Sequence, residues 1–154
     1  MAAYFNLPPY EPRLSKTETR IDIWDFLRNK WVCLTPEEEV RQHFLHYLVQ
    51  NKNYPKGLLA VEYSLKVNHL QKRADIVLFN NFGHPVLIVE CKAPTIKITQ
   101  KTFDQIARYN LSLKVDYLIV TNGLEHFCCQ LDFVHQQYIF LQDIPDYSQL
   151  LDNV

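Results

Sequence analysis

Two carboxylates and one ammonium, those of Asp75, Glu90 and Lys92, lie on a predicted β-hairpin. The hairpin is predicted from three segments, the strands K72-R-A-D-I-V-L-F and P85-V-L-I-V-E-C-K and the turn N80-N-F-G-H between them. A turn centred between Phe82 and Gly83 places Asp75 opposite Glu90, with Cβ atoms roughly 4.5–5.5 Å apart. A slip of one residue would send the two side chains to opposite faces of the sheet.

Two carboxylates opposed in a sheet repel each other, and a divalent cation between them removes that repulsion. Mg²⁺ suits such a pair because it binds one or two carboxylates and keeps several waters. Lys92 follows Glu90 by two residues, so strand geometry puts both side chains on one face, about 6.6 Å apart. An ammonium there can orient an attacking water and stabilise the charge of a pentavalent phosphate. These are the parts that phosphodiester hydrolysis requires.

The alternative for this hairpin is an ordinary strand end that emerges into solvent with a Glu-x-Lys pair. Spacing alone does not exclude it, because Glu-x-Lys is short and common. The apolar run V86-L-I-V predicts a central strand. Charges at the end of such a strand are costly to bury without partners, which favours a functional pair.

The elements around the hairpin predict an α/β fold with a mixed β-sheet flanked by helices. Thr35 is a predicted N-cap, followed by Pro36 and three glutamates, and this helix is expected to run to about Gln50. A second helix is predicted over residues 99–113. Strands are predicted over residues 21–26, 31–34, 58–67, 72–79, 85–92, 115–121, 126–133 and 138–141. Residues 1–20 are predicted to form an extended arm, and the tail from Asp143 a loop with a last helical turn.

The bulk composition fits one globular domain over residues 1–154, with 47% apolar and 21% charged residues. The first twenty residues lack the apolar core of a signal peptide, and no segment approaches the ~18 apolar residues of a membrane span. A cytoplasmic protein is therefore expected. Its four cysteines form no CxxC pair, which argues against a zinc site and favours reduced thiols.

Several motifs in order resemble the PD-(D/E)xK nuclease superfamily. They are R73-A-D-I-V-L-F, then V89-E-C-K-A-P, then Q105-I-A-R-Y-N, then T121-N-G. With T35-P-E-E-E-V-R-Q before them, residues 20–130 are similar to the N-terminal nuclease domain of type I restriction enzyme R subunits. The resemblance implies a restriction-endonuclease-like fold and a Mg²⁺-dependent endonuclease that cuts DNA, with Mn²⁺ able to substitute. Ala74 stands where the superfamily has its nominal proline.

The resemblance also implies a role for individual residues. Asp75 and Glu90 would bind the metal together with the carbonyl of Cys91, and Lys92 would be the catalytic lysine. A glutamate of the first helix would approach the metal, and Glu38 is the best candidate, with Glu37 and Glu39 as rivals. Glu38 also has capping-box spacing from Thr35, so an ordinary capping role stays open.

Further residues fit the family on the second helix and in the basic positions around the site. Gln105 and Tyr109 match a Gln-xxx-Tyr element and share one helical face, with simple packing of Tyr109 as the alternative. Candidate DNA contacts are Lys66, Lys72, Arg73, Lys97, Lys101 and Arg108. A net charge of -1 argues weakly against nucleic-acid binding, although a local basic patch can supply the attraction.

No GxxxxGK[ST] phosphate loop occurs in these 154 residues, so a nuclease without its own motor is predicted. A separate motor or restriction–modification partner could deliver the DNA, and a homodimer would supply the two sites that a double-strand cut needs. The main alternative is a non-catalytic module that binds nucleic acid or protein on a nuclease fold. RNA as substrate ranks last, because no stacking-rich RNA-binding pattern is present.

Overall fold

Helix α1 (Pro36–Asn51) begins where the sequence predicts it. Thr35 is extended at the N-cap, and its Oγ1 accepts a hydrogen bond from the backbone N–H of Glu38. The computed structural model describes residues 5–151, apart from the side chain of Val67. Residues 1–4 of the predicted arm and 152–154 of the predicted tail lie outside this range. Within it, no helix is long and apolar enough to cross a membrane.

Nine strands, two further α-helices and a short 3-10 helix (Lys56–Leu58) complete the regular structure of residues 5–151. The strands are β1 (Leu14–Lys16), β2 (Ile21–Asp25), β3 (Lys30–Cys33), β4 (Leu59–Val67), β5 (Leu70–Phe79), β6 (Pro85–Cys91), β7 (Tyr117–Thr121), β8 (His126–Asp132) and β9 (Gln137–Leu141). The helices are α2 (Gln100–Leu113) and α3 (Tyr147–Leu151). Every predicted strand and helix is present, with ends that differ by at most two residues from the prediction.

The predicted N-terminal arm contains a strand that the sequence analysis did not predict. Strand β1 pairs antiparallel with β2, which in turn pairs with β3, so these strands form a separate three-stranded sheet. Only three residues long, β1 has too few positions to show an apolar alternation. Its pairing partner therefore determines its conformation.

The larger sheet has six strands in the order β4-β5-β6-β7-β8-β9. All neighbours are antiparallel except β6 and β7, which run parallel. Parallel neighbours need a long crossover, and α2 provides it between the end of β6 and the start of β7. This topology puts α2 and α1 on opposite faces of the sheet.

Each face of the larger sheet has its own apolar layer. The α1 layer joins Phe44 and Leu48 of the helix to Ile76, Val89 and other strand residues. The α2 layer, built on Phe103 and Ala107 among others, includes Ala74, Val77, Ile88 and Leu65. From Leu87 to Val89 of β6 the two layers alternate residue by residue, as expected for a strand that is buried on both faces.

Strands β4 and β5 both change face at the same position. On β5, Ala74 belongs to the α2 layer and Ile76 to the α1 layer, although alternation would put both on one face. On β4, Val61 packs on the α1 layer and Leu65 on the α2 layer. Between them Glu62 has a left-handed backbone with a φ of 51°. The reversal therefore lies at Glu62 and at Asp75, which is opposite it.

Gly123, which follows β7, is expected to tolerate alanine poorly because a Cβ there would clash with Phe5. Gly83 has a similar backbone without such a neighbour and serves as the comparison. Gly123 has a φ of 87° and Gly83 a φ of 81°, so alanine is strained at both. A Cβ at Gly123 would lie 2.7 Å from Phe5 Cδ1, whereas a Cβ at Gly83 meets nothing within 4 Å. We expect Gly83→Ala to lower the free energy of unfolding by about 1 kcal/mol and Gly123→Ala by about 1–3 kcal/mol more. Urea denaturation measures both, and equal losses would contradict the predicted Phe5 contact.

Candidate active site

The predicted register of the β5–β6 hairpin is correct. Ile76 pairs with Val89 and Val77 with Ile88, so the next step along the ladder brings Asp75 opposite Glu90. A β-bulge shifts the register only near the turn, between Leu78 and Phe79. The two carboxylates therefore lie on adjacent strands at the same level, as the spacing predicted.

The two carboxylates have partners on different layers of the fold. Glu90 lies between Val89 and Cys91, which both face the α1 layer, so its side chain points to the α2 face. Asp75 lies where β5 reverses, and its Oδ1 is 3.5 Å from Arg41 Nη1 on α1. Glu62, which lies opposite Asp75, has a left-handed backbone at this reversal. The sequence analysis did not predict the reversal.

Asp75 is held in a way that makes its proton hard to lose. Its Oδ2 accepts a hydrogen bond of 2.8 Å from the backbone N–H of Cys91. Burial raises the pKa of Asp75 to about 6, and the negative charges of Glu90 and Glu37 add to the effect. The Cys91 N–H and Arg41 act in the opposite direction without cancelling it. Asp75 therefore carries a carboxylate that a nearby cation would stabilise.

Glu90 has a different counter-charge, the ammonium of Lys72. Lys72 Nζ lies 3.0 Å from Glu90 Oε2, and both side chains are largely buried. The same ammonium lies 5.2 Å from the ring centre of Tyr109 on α2. Glu90 Oε2 is fully buried and accepts no well-directed hydrogen bond from the described residues. Within residues 5–151, Lys72 is the one cation that forms an ion pair with Glu90.

Lys92 directly follows the last residue of β6. Its backbone N–H donates a 2.8 Å hydrogen bond to the carbonyl of Thr121 and so extends the parallel ladder by one step. Strand alternation then puts the Lys92 side chain on the same face as Glu90. Within residues 5–151 no carboxylate pairs with this half-buried lysine.

Glu38, the glutamate predicted to approach the metal, is buried and forms ion pairs with two arginines. Its Oε2 accepts 2.6 Å from Arg41 Nε, and its Oε1 lies 3.5 Å from Arg28 Nη2. Arg41 stands between Glu38 and Asp75, since it contacts both. A metal-binding role for Glu38 stays a prediction, and it requires Arg41 to release the carboxylate. The exposed Glu37, a rival in the sequence, already acts on the charge of Asp75.

Glu62 is a site residue that the sequence analysis missed. It lies between the pairs Val61–Ile76 and Tyr63–Ala74, and therefore opposite Asp75. Its carboxylate forms ion pairs with Arg28 at 2.9 Å, Arg41 at 3.1 Å and Arg73 at 3.2 Å. The sequence does contain a signal for this position: a two-residue turn at Asn68-His69 pairs β4 with β5 in the register that puts Glu62 opposite Asp75.

The other predicted residues divide into contacts and exposed positions. Tyr109 is half-buried, packs on the α2 layer and donates a 2.9 Å hydrogen bond to the carbonyl of Gln71. Gln105 is exposed, so the two members of the Gln-xxx-Tyr element have different environments. Lys66, Lys97, Lys101 and Arg108 are exposed, and Arg73 is exposed with Glu62 as its partner. Their proposed contacts with DNA remain predictions.

Most of the chain, including the larger sheet, matches a known protein family. Residues 36–145 match the model of the type I restriction enzyme R protein N terminus. The chain belongs to this family. The match covers α1, the whole of the larger sheet and α2, and so includes every residue discussed for the site except Arg28. Comparison with the curated proteins gives no match.

A solved structure shares the fold of this R-protein N-terminal domain. It is described as a fragment of the HsdR subunit of a type I restriction enzyme from Vibrio vulnificus YJ016. The TM-score is 0.52 at 19% sequence identity, with 78% of this chain and 26% of that chain covered. The likeness confirms the predicted restriction-endonuclease-like fold. The domain spans about a quarter of the length of that chain.

The chemistry of the site in this R-protein N-terminal domain fits a divalent cation. As they stand, no three His, Cys, Asp or Glu side chains among residues 5–151 are grouped to hold a metal ion. Two features nevertheless favour a cation beside Asp75 and Glu90. Burial and negative neighbours raise the pKa of Asp75, and Glu90 Oε2 is buried without a directed hydrogen bond. A cation that binds hard oxygen ligands would stabilise both carboxylates.

The raised pKa of Asp75 predicts that removing its charge stabilises the domain. Between pH of about 4 and 6 the folded chain binds a proton on Asp75 that the unfolded chain has lost, so stability falls as pH rises through this range. We expect Asp75→Asn to raise the free energy of unfolding at pH 7 in EDTA by on the order of 2 kcal/mol. The gain should shrink as the pH is lowered towards 4.

Urea denaturation of the wild type and Asp75→Asn at several pH values measures this effect. The exposed Asp143→Asn variant is the matched control, and we expect little change in its stability. Loss of stability in Asp75→Asn at pH 7 would contradict the prediction. A variant that becomes more stable while it loses function is a mark of a residue kept for chemistry.

Proposed function

We propose that this domain is a Mg²⁺-dependent endonuclease that hydrolyses DNA phosphodiester bonds, with Asp75, Glu90 and Lys92 at the centre of its site. The observation that carries the proposal is the position of Asp75 and Glu90, which directly follow the last β5–β6 pair, Ile76 with Val89, beside Lys92. Membership of the restriction enzyme R family supports a nuclease role in general. We also propose that the chain cuts DNA without a motor domain.

Asp75 and Glu90 would hold the cation, with the carbonyl of Cys91 as a further oxygen ligand. When bound, the cation supplies Lewis acidity, which polarises the phosphate and lowers the pKa of the attacking water. The carboxylates must separate from Arg41 and Lys72 for this, since these residues now form ion pairs with them. Mn²⁺ is expected to substitute for Mg²⁺ because both accept carboxylate oxygens.

Lys92 would act on the substrate rather than on the fold. It lies on the Glu90 face and has no carboxylate partner among residues 5–151, so its ammonium is available to a phosphate. A positive charge placed beforehand where negative charge develops stabilises the transition state without reorganisation. The water that attacks can also be oriented by the same ammonium.

Substrate binding would rest on the exposed basic residues around the site. Lys97, Lys101 and Arg108 lie at or near α2, which follows the active-site strand. Contacts of this kind attract any DNA sequence and weaken as salt is added. A motor or restriction–modification partner that delivers DNA, and a homodimer for double-strand cuts, are part of the proposal.

A non-catalytic binding module is the second candidate, and one observation favours it. Each central carboxylate already has a cationic partner within the chain, Arg41 for Asp75 and Lys72 for Glu90. A fold that retains these ion pairs would not need a metal. Against such a resting role stands the pKa of Asp75, which burial and the charges of Glu90 and Glu37 raise although Arg41 lowers it.

The test is cleavage by the purified chain of supercoiled plasmid, linear duplex, single-stranded DNA and an RNA of matched sequence. Each is incubated with Mg²⁺, Mn²⁺ or EDTA. Nicking or linearisation of the plasmid with metal and none with EDTA supports an endonuclease, whereas loss of nucleotides only from linear ends indicates an exonuclease. Absence of cutting, together with metal-independent DNA binding, would favour the binding module.

A further inference from the structure

Lys72 has a more constrained environment than the other basic residues around the site. Its side chain is 14% exposed, whereas that of its neighbour Arg73 is 68% exposed. The ammonium lies between the Glu90 carboxylate at 3.0 Å and the Tyr109 ring at 5.2 Å. Both neighbours attract a cation, one through its charge and the other through its π face. A solvated surface lysine would show neither contact.

Tyr109 is itself held in place against β5. Its hydroxyl donates a 2.9 Å hydrogen bond to the carbonyl of Gln71, the residue before Lys72. The ring also packs on the α2 layer. The position of the ring therefore follows from α2 and β5 together, so that it covers the Lys72 ammonium from the helix side.

Glu90 depends on this ammonium. Its Oε2 is inaccessible to solvent and, among the described residues, accepts no well-directed hydrogen bond. A buried carboxylate without a counter-charge is costly, so the Lys72 ammonium stabilises the site in the absence of a metal. The contact is an ion pair without the directed geometry of a strong hydrogen bond, and another cation can replace it.

We propose that Lys72 is a tethered counter-ion that occupies Glu90 when no divalent cation is bound and competes with that cation for the carboxylate. The inference rests on the proposed function, because it takes Glu90 as a metal ligand. Lys72 is thus a positioning residue: it keeps the empty site folded and sets the concentration of Mg²⁺ at which the site fills. Its flexible four-carbon stem allows the ammonium to leave Glu90 without movement of β5.

Two measurements on Lys72→Met should change in opposite directions. Without metal, Glu90 loses its counter-charge, so the melting temperature in EDTA is expected to fall. With metal, the competitor is gone, so the dissociation constant for Mg²⁺ measured by calorimetry is expected to fall about three- to tenfold. A lysine with a merely structural role would lower the melting temperature and leave the Mg²⁺ affinity unchanged or weaker.

The control variants separate this effect from a general change in charge. Lys66→Met removes one positive charge from an exposed position of the neighbouring strand, and we expect wild-type Mg²⁺ affinity. Lys72→Arg retains the charge and should not tighten Mg²⁺ binding. Tyr109→Leu removes the ring that holds the ammonium, so it should tighten Mg²⁺ binding to a smaller extent even if Lys72→Met fails to fold.

Calorimetry with Mg²⁺ on the wild type and Glu90→Gln distinguishes failure of this inference from failure of the proposed function. Binding by the wild type that is lost in Glu90→Gln supports the metal site. If Lys72→Met and Tyr109→Leu then bind no tighter than Lys66→Met, the competition is overturned and the metal site stands. Equal binding, or none, by the wild type and Glu90→Gln would overturn both.

Discussion

Replacement of Lys92 by alanine is expected to reduce Mg²⁺-dependent DNA cleavage at least about a hundredfold while the domain stays folded. The backbone of Lys92 keeps its hydrogen bond to Thr121, which does not involve the side chain. The side chain itself pairs with no carboxylate in residues 5–151, so little stability depends on it. Loss of cleavage would therefore report chemistry. Plasmid nicking at saturating Mg²⁺ gives the rate, and thermal melting gives the stability.

Lys97→Ala is the matched control for Lys92→Ala, because Lys97 is an exposed lysine five residues further along the chain. We expect it to keep most of the cleavage rate and to show a weaker dependence of DNA binding on salt. Glu90→Gln should lose cleavage to the same extent as Lys92→Ala. Cleavage that survives in Lys92→Ala at near the wild-type rate would exclude this lysine as the catalytic one.

Replacement of Arg28 by alanine is expected to destabilise the domain by about 3–5 kcal/mol, because it leaves a fully buried carboxylate without its cation. The Asp25 side chain is 0% exposed, and its Oδ2 accepts from Arg28 Nε at 2.5 Å. Arg28 also pairs with Glu38 and Glu62, so its loss affects three acidic residues at once. Chemical denaturation at pH 7 measures the loss.

A surface pair provides the comparison for Arg28→Ala. Arg20, which is exposed, pairs with Asp22, and Arg20→Ala should cost far less stability than Arg28→Ala. Removal of both charges in Asp25→Asn/Arg28→Ala should recover part of the stability that Arg28→Ala loses, since no carboxylate is then left unpaired. An equal loss in Arg20→Ala and Arg28→Ala would contradict the importance of burial.

The effect of Arg28 should also depend on pH. Burial raises the pKa of Asp25, but hydrogen bonds from the backbone and side chain of Arg28 outweigh it, and the pKa is lowered overall. In the wild type this contribution to stability is present above the ordinary pKa of about 4 and is lost as pH falls through the lowered value. The difference between the wild type and Arg28→Ala should therefore be largest near neutral pH.

Local signals in the sequence predicted the helices and the hairpin because each is encoded by neighbouring residues. Thr35, Pro36 and the following glutamates specify the start of α1, and the structure confirms Thr35 as its N-cap. A turn with Gly83 at a φ of 81° determines the pairing of β5 with β6 and so places Asp75 opposite Glu90. Such features depend on few residues and short distances along the chain.

Contacts between distant segments were not predictable in the same way. The change of face at Asp75 depends on Glu62 and its left-handed backbone, thirteen residues earlier on another strand. Two arginines contact Glu38, and one of them, Arg28, lies in the turn between β2 and β3 of the small sheet. Strand β1 exists through pairing with β2 alone. Each of these depends on tertiary packing that periodicity does not record.

The distribution of the site over the two apolar layers has a consequence for molecules that are only partly folded. Asp75 is held from the α1 layer through Arg41, whereas Glu90 and Lys72 are held from the α2 layer through Tyr109. Proteins open locally in cooperative units, and each layer with its helix is a natural unit of this kind. Opening of either one separates the two carboxylates. If the domain cuts DNA as proposed, a chain in which either layer is open carries no assembled site, and we expect such partly folded copies not to cut.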